Sequence, residues 1–363
     1  MKTLKLQQFK QQKGISLVEI MVALVISLFL LTGIVQVYLA NKTTYNFTNA
    51  ISRNQENGRF AMEIMAQDLR MAGYFGCAVF DRNDEASMEA IVNNLNPAGT
   101  GYNDELHNFL DQPLLEGTDN DGLNGSDSIT LRGPVPGNAN VNSPYMPNTA
   151  ANIFISQPND LKDNDIVLIT NCRGADIFQV TNSNDGSGAN ANKTAIVHNT
   201  GVGEPGNYNP DTCVAGHCLS QTYGADATIF KIRAVIYTIK AGASGEPALW
   251  RQEDDADGTT VDDQELVEGI EQMQVQYGVD TTGDGHPNQY LTADLITDNF
   301  ALPNNWDNVM SIRLMLLTRS AAVGVVEAPQ VVDFNGASTT YPDRRLRQEF
   351  TTTIALRNRV SDT

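Results

Sequence analysis

The sequence predicts an α+β protein: one long N-terminal helix packed on a large, mainly antiparallel β-sheet domain with long loops. Three observations carry this. The stretch Ile20–Leu39 is uncharged and almost wholly apolar. The next stretch, Asn41–Ala72, lacks proline, has a single glycine at Gly58, and repeats apolar residues at helical spacing. Beyond it, short alternating segments are separated by Gly-, Asn- and Asp-rich stretches that read as turns.

The N-terminus comes first. Lys2, Lys5, Lys10 and Lys13 form a basic leader without an acidic residue, and Gly14 follows it. A secretory signal peptide carries its cleavage site after the apolar region. Here the candidate processing site, the Gly14–Ile15 bond, precedes that region. Cleavage would remove the lysines and leave the apolar segment as the new N-terminus. The leader lysines hold that end in the cytoplasm by the positive-inside bias.

Glu19 is the one charge close to the apolar run. A carboxylate at the centre of a membrane helix costs about 2.5–3.5 kcal/mol, and less near an end. Glu19 lies one turn from Ile15, so its cost is modest until helices bundle away from water, where an unpaired carboxylate becomes expensive.

The helix is expected to run from Ile15 to Ala72, about 85 Å at 1.5 Å per residue. Residues 15–39 are long enough to span a bilayer, and 40–73 extend the same helix. Ala61, Met65, Leu69 and Ala72 mark its packing face, and Gly73 is a C-terminal stop. Thr32-Gly33 and Gly58 are candidate points of bending or unwinding. Residues 74–363 form the β-rich domain. Its stronger strands are expected at Ala227–Lys240, Ala248–Glu253, Met273–Val279, Val309–Thr318 and Gln348–Leu356, the first of them central because both its faces are partly apolar. Weaker ones are expected at Ser128–Arg132, Asn152–Ser156, Asp165–Thr170, Ile177–Val180 and Ala195–His198.

The formal charge of −19 over 363 residues argues against nucleic acid as a partner, since phosphate contacts need Lys and Arg. Loss of the four leader lysines leaves the mature chain more acidic still. Cys77, Cys172, Cys213 and Cys218 all follow the apolar segment, which puts them in the periplasm, where disulfides persist. Of three pairings, Cys213–Cys218 as a local loop and Cys77–Cys172 as a long-range staple are favoured. Zinc on Cys213, His217 and Cys218 is the alternative, without a second ligand pair at the usual spacing.

Asp280-Thr281-Thr282-Gly283-Asp284-Gly285-His286-Pro287-Asn288 puts oxygen side chains at loop positions 1, 3, 5 and 9 and glycine at position 6, as in a calcium loop. Asp280, Thr282, Asp284, the carbonyl of His286 and Asn288 are the candidate ligands. Position 12 is Leu291 rather than a bidentate Glu, so affinity should be weak. The other reading is a Gly/Asp turn between strands. Asp119–Gly122 and Asp255–Gly258 are weaker versions. No cofactor is required by any motif. His107, His198, His217 and His286 lie in unlike contexts, and no nucleophile, P-loop or dinucleotide fingerprint appears, so an enzyme is not expected. Arg344, Arg345, Arg347 and Arg357 stand out in so acidic a chain; pairing with its own carboxylates is the favoured expectation, and an acidic patch on a partner is the alternative.

On Gly14, the basic leader and Glu19 at the fifth mature position, the chain resembles type IV prepilins and type II secretion pseudopilins. Ile15 departs from that family's usual first-position phenylalanine, a position that accepts other apolar residues. The order Leu266–Glu271, Met273–Asp280, Ser311–Ser320 and Arg344–Phe350, with Gly73-Tyr74-Phe75-Gly76-Cys77, is similar to the PilW family of minor pilins, related to GspJ-type pseudopilins. The resemblance implies a prepilin peptidase cutting after Gly14 and methylating Ile15, and Glu19 pairing with a neighbouring subunit's α-amino group. It also implies partners among other minor pilins, the major pilin and a tip adhesin, with passage from the inner membrane to the pilus. A GspJ-like pseudopilin and a membrane-anchored periplasmic binding or calcium-responsive protein outside any filament are the rival readings.

Overall fold

The computed structural model describes residues 14, 16–74, 91–110, 112–135, 138–145, 150–186, 192–208, 218–254, 261–299 and 302–356. Helix α1 spans Leu17–Met71, 55 residues without interruption. It therefore continues through both Gly33 and Gly58 instead of unwinding there. Gly58 has a packing reason: a methyl at this position would run into the ring of Phe350. The helix ends where expected, with Gly73 at φ +72°, a left-handed conformation that glycine adopts without Cβ strain.

Eighteen strands follow among the described residues. In the first half of the domain they are β1 (Ile91–Asn93), β2 (Leu115–Thr118), β3 (Ser128–Pro134), β4 (Ala139–Asn140), β5 (Asn152–Ser156), β6 (Ile166–Asn171), β7 (Gly174–Gln179), β8 (Asn182–Asp185) and β9 (Lys193–Val197). In the second half they are β10 (Thr228–Ala241), β11 (Pro247–Asp254), β12 (Val261–Glu268), β13 (Ile270–Val279), β14 (Gln289–Leu291), β15 (Val309–Arg319), β16 (Gln330–Phe334), β17 (Ala337–Tyr341) and β18 (Arg347–Ala355). Among the described residues they form sheets of nine, four, three and two strands. Strand pairing is antiparallel except between β1 and β7.

The longest strand, β10, is central as its alternation predicted. Its first residues pair with β6 and β4, and its later residues lie between β3 and β11. The four-stranded sheet runs β14-β13-β15-β18. Ala61, Met65 and Leu69 of α1 are fully buried against both large sheets in one core with Tyr237, Ile239, Met273, Leu314 and Leu316. Burial of such side chains contributes roughly 1.5–3 kcal/mol each for the larger ones, so the upper half of α1 is bound to the domain. Two smaller clusters, centred on Ile155–Phe178 and on Phe109–Phe230, fill the region of β1 and β4–β9.

The short strands β1, β2, β4, β8 and β14 are not expected from the sequence, and neither are β12, β16 and β17. β12 reads Val-Asp-Asp-Gln-Glu-Leu-Val-Glu, too acidic to signal a strand by itself, and it forms by pairing along β11. The hairpin β16–β17 turns at Asn335-Gly336, both with positive φ, the two-residue turn that this dipeptide favours. Its apolar anchors Val332 and Phe334 pack on Met315 and Leu317 of β15.

Candidate assembly interface

The first half of α1 has no cover. Leu17, Val18 and Ile20 through Leu39 expose their apolar side chains around the helix. Among the described residues this is the one helix long and apolar enough to cross a membrane. At the end of the apolar run and just beyond it, Tyr38 and Tyr45 are exposed, as is Lys42. Aromatic and basic residues at this height are the usual anchors of a membrane boundary.

Gly14 is exposed and outside the helix, and Ile15 lies outside the described residues. Ser16 is the N-cap. Its Oγ accepts from the amide of Glu19 at 3.2 Å, while Glu19 Oε2 accepts from the amide of Ser16 at 2.9 Å. This reciprocal capping box satisfies two of the amides left unpaired at a helix start. Within a single chain, then, Glu19 closes its own helix, a role the sequence reading did not assign to it.

The helix is fixed to the domain by a second carboxylate that sequence reasoning passed over. Asp68 Oδ2 accepts from Tyr237 Oη at 2.6 Å, and Arg233 and Arg251 approach the same group at 3.5 and 3.9 Å. Only its helical position, one residue before the buried Leu69, offered a hint.

Of the four arginines singled out in the sequence, Arg345 and Arg347 have internal carboxylate partners. Arg347 grips Glu271 and Asp343; Arg319 bridges Glu271 and Glu246; Arg345 bridges Glu246 and Asp343. Six alternating charges close a ring across β13, β15 and β18 and the turn before β11. The guanidinium of Arg347 also lies 3.7 Å from the centre of the Tyr341 ring. Hydrogen bonding to Arg347 brings the Asp343 carboxyl down to about 2. Burial raises Glu246, but bonds from Arg345 and Arg319 outweigh it and hold the group below the usual range. Arg344 is exposed, and Arg357 lies outside the described residues.

At the calcium-like loop the side chains turn inward on the backbone. Asp280 Oδ1 accepts from the amides of Thr282 and Gly283 at 3.0 and 2.8 Å, and Oδ2 from Gly285 at 2.7 Å. Asn288 Oδ1 accepts from Thr281 at 2.9 Å, and Asp284 Oδ1 from His286 at 3.0 Å. Burial raises the Asp280 carboxyl, yet these amides outweigh it and lower it overall. Among the described residues no group of three or more His, Cys, Asp or Glu could hold a metal ion. This geometry supports the turn reading. Asp119 likewise accepts from Ala293 and Asp294 amides, and residues 255–258 lie outside the described residues.

Cys172 and Cys218 are disulfide-bonded. Cys77, Cys213 and His217 lie outside the described residues. A disulfide sulfur is not the thiolate that zinc needs, so the zinc alternative fails at Cys218. The other histidines are dispersed. His107 and His198 are buried in different clusters, the latter with its ring 5.0 Å from Phe178.

Residues 9–35 match the prokaryotic N-terminal methylation motif. Residues 236–358 match the family of type IV pilus-assembly protein W. Together they support a PilW-like type IV minor pilin. The second match runs from the middle of β10 through β18 and contains every member of the charge ring. The first covers the end of the basic leader from residue 9, the capping box and most of the apolar helix. No curated protein and no solved structure gives a significant match.

Proposed function

We propose that this pilin is cleaved after Gly14, methylated at Ile15, and inserted by residues 15–39 in the inner membrane with its β-rich domain in the periplasm. From there it joins other minor pilins in a complex that initiates a type IV pilus and remains at its tip. The observation that carries the reading is the combination of a methylation motif with an uncovered apolar helix whose upper half is built into a PilW-type sheet. Such a chain has one half to place among other helices and one to present to partners.

The role is assembly rather than chemistry. Prepilin peptidase acts on the leader; the major pilin and a tip adhesin are the later partners. Glu19 would exchange its own capping contact for a neighbour's α-amino group when helices bundle, where water is excluded and charge pairing is stronger. A GspJ-like place in a secretion pseudopilus is the same-class rival. Mass spectrometry of sheared filaments and of membranes, with N-terminal identification, tests the proposal. The expected result is a methylated Ile15 terminus in both fractions and few pili in a strain lacking the chain. An intact Met1, or normal pili with a secretion defect, overturns it.

A further inference from the structure

A groove of about 310 Å³ opens between α1 and the segment Arg319–Val325. It begins at Thr43, just past the apolar run, at the height where helices of adjacent subunits would separate into their globular domains. Its two walls differ. On the domain side, Ala321, Ala322 and Val323 are three consecutive exposed apolar residues, Val323 at 65% exposure. On the helix side stand Asn46, Asn49 and Arg53.

The charges at the groove are unevenly committed. Glu246 is held by Arg319 and Arg345, and Glu268 accepts from Ser244 Oγ at 2.6 Å. Arg319 spends its guanidinium on Glu246 and Glu271. Arg53 is exposed and makes no ion pair among the described residues. An uncommitted cation therefore faces an apolar rim in a chain of net charge −19. Exposed apolar runs next to a lone charge are features of a protein-binding surface.

We infer that this groove receives an acidic, amphipathic helix from a neighbouring pilin subunit, its carboxylate on Arg53 and its apolar flank on Ala321–Val323. The chain's own α1 displays the complementary chemistry: Glu56 and Phe60, one turn apart, are both exposed. The inference rests on the pilin reading and adds the surface and the chemistry of its partner.

The test compares pilus number for the full-length chain carrying Arg53→Glu, Arg53→Lys or Val323→Asp with the wild type and with a strain lacking the chain. Arg53→Glu and Val323→Asp should lower pilus number about tenfold, the effect of a ~1.4 kcal/mol contact. Arg53→Lys should stay near wild type. All three should melt within about 1–2 °C of wild type in detergent, since the positions are exposed. An Ala322→Cys variant labelled on its thiol with a photo-activated cross-linker should be captured on the helix of another pilin. Wild-type pilus number for both Arg53→Glu and Val323→Asp, or a cross-link to a protein that is not a pilin, overturns the inference while leaving the pilin role intact. Normal piliation without the chain overturns both.

Discussion

Glu271 and Arg347 face each other in a two-pronged ion pair, 2.5 Å from Nε to Oε2 and 2.9 Å from Nη2 to Oε1, although 76 residues separate them in the chain. Both are almost fully buried. Arg319 reaches the same carboxylate at 3.0 Å, so one acid joins the three neighbouring strands β13, β15 and β18. Removing it would leave Arg347 paired only with Asp343 and Arg319 only with Glu246, each short of one charged acceptor. Glu271→Ala should therefore cost about 1.5–3 kcal/mol. Urea melts of the detergent-solubilised protein measure this; a loss below about 1 kcal/mol would show that the ring is ornamental.

Acid should loosen the ring from its exposed side. Asp343 has a folded pKa of about 2, below the unfolded carboxylate value. Its contribution is present above about pH 4 and is lost as pH falls toward 2. Asp343 is partly solvated, so the contribution is about 1 kcal/mol. Asp343→Asn should be less stable than wild type at pH 7 and equal to it near pH 2. Asp127 works in the opposite sense. Burial raises it to about 6, so the folded state holds a proton that the unfolded state has released, and stability falls as pH rises from about 4 to 6. A wild-type melting profile that falls on acidification below pH 4 and again toward pH 6 is the expected outcome. A parallel profile for Asp343→Asn would refute the assignment.

Asp68 fixes the helix to the sheet. Asp68→Ala would leave the buried Tyr237 hydroxyl without its acceptor, at a cost of about 1.5–3 kcal/mol. Hydrogen exchange on residues 61–71 should accelerate with the global loss of stability. Protection unchanged from wild type would mean that apolar packing alone holds α1.

Glu19 has two separable properties, an acceptor for the capping box and a charge. Glu19→Gln keeps the first and removes the second; Glu19→Ala removes both. If assembly needs the charge, both variants should be processed normally but give few pili. Normal piliation with Gln and failure with Ala would assign Glu19 to capping alone.

The Asp280 loop is closed by its own amides, so its stability should not depend on a divalent cation. Melting temperatures in millimolar calcium and in chelator should agree, and Asp280→Ala should destabilise equally in both. A rise in calcium that disappears in Asp280→Ala/Asp284→Ala would restore the calcium reading.

Local chemistry made much of this legible in advance. In the proposed function the lysines, Gly14, Glu19 and the apolar run are read by a membrane and a peptidase, which act on consecutive residues, so their order carries the information. The buried face at Ala61, Met65 and Leu69 and the centrality of β10 follow from periodicity, because one face of a helix or both faces of a strand must leave water. Tertiary structure decided the rest. β12 is a strand because β11 offers its ladder, despite an acidic sequence. Tyr237 meets Asp68 across 169 positions. Glu271 is the shared partner of Arg319 and Arg347 only because β13, β15 and β18 lie side by side in register. A charge signals in sequence that it needs a partner. Which group supplies it depends on distances of a few ångströms, and only the folded chain sets those.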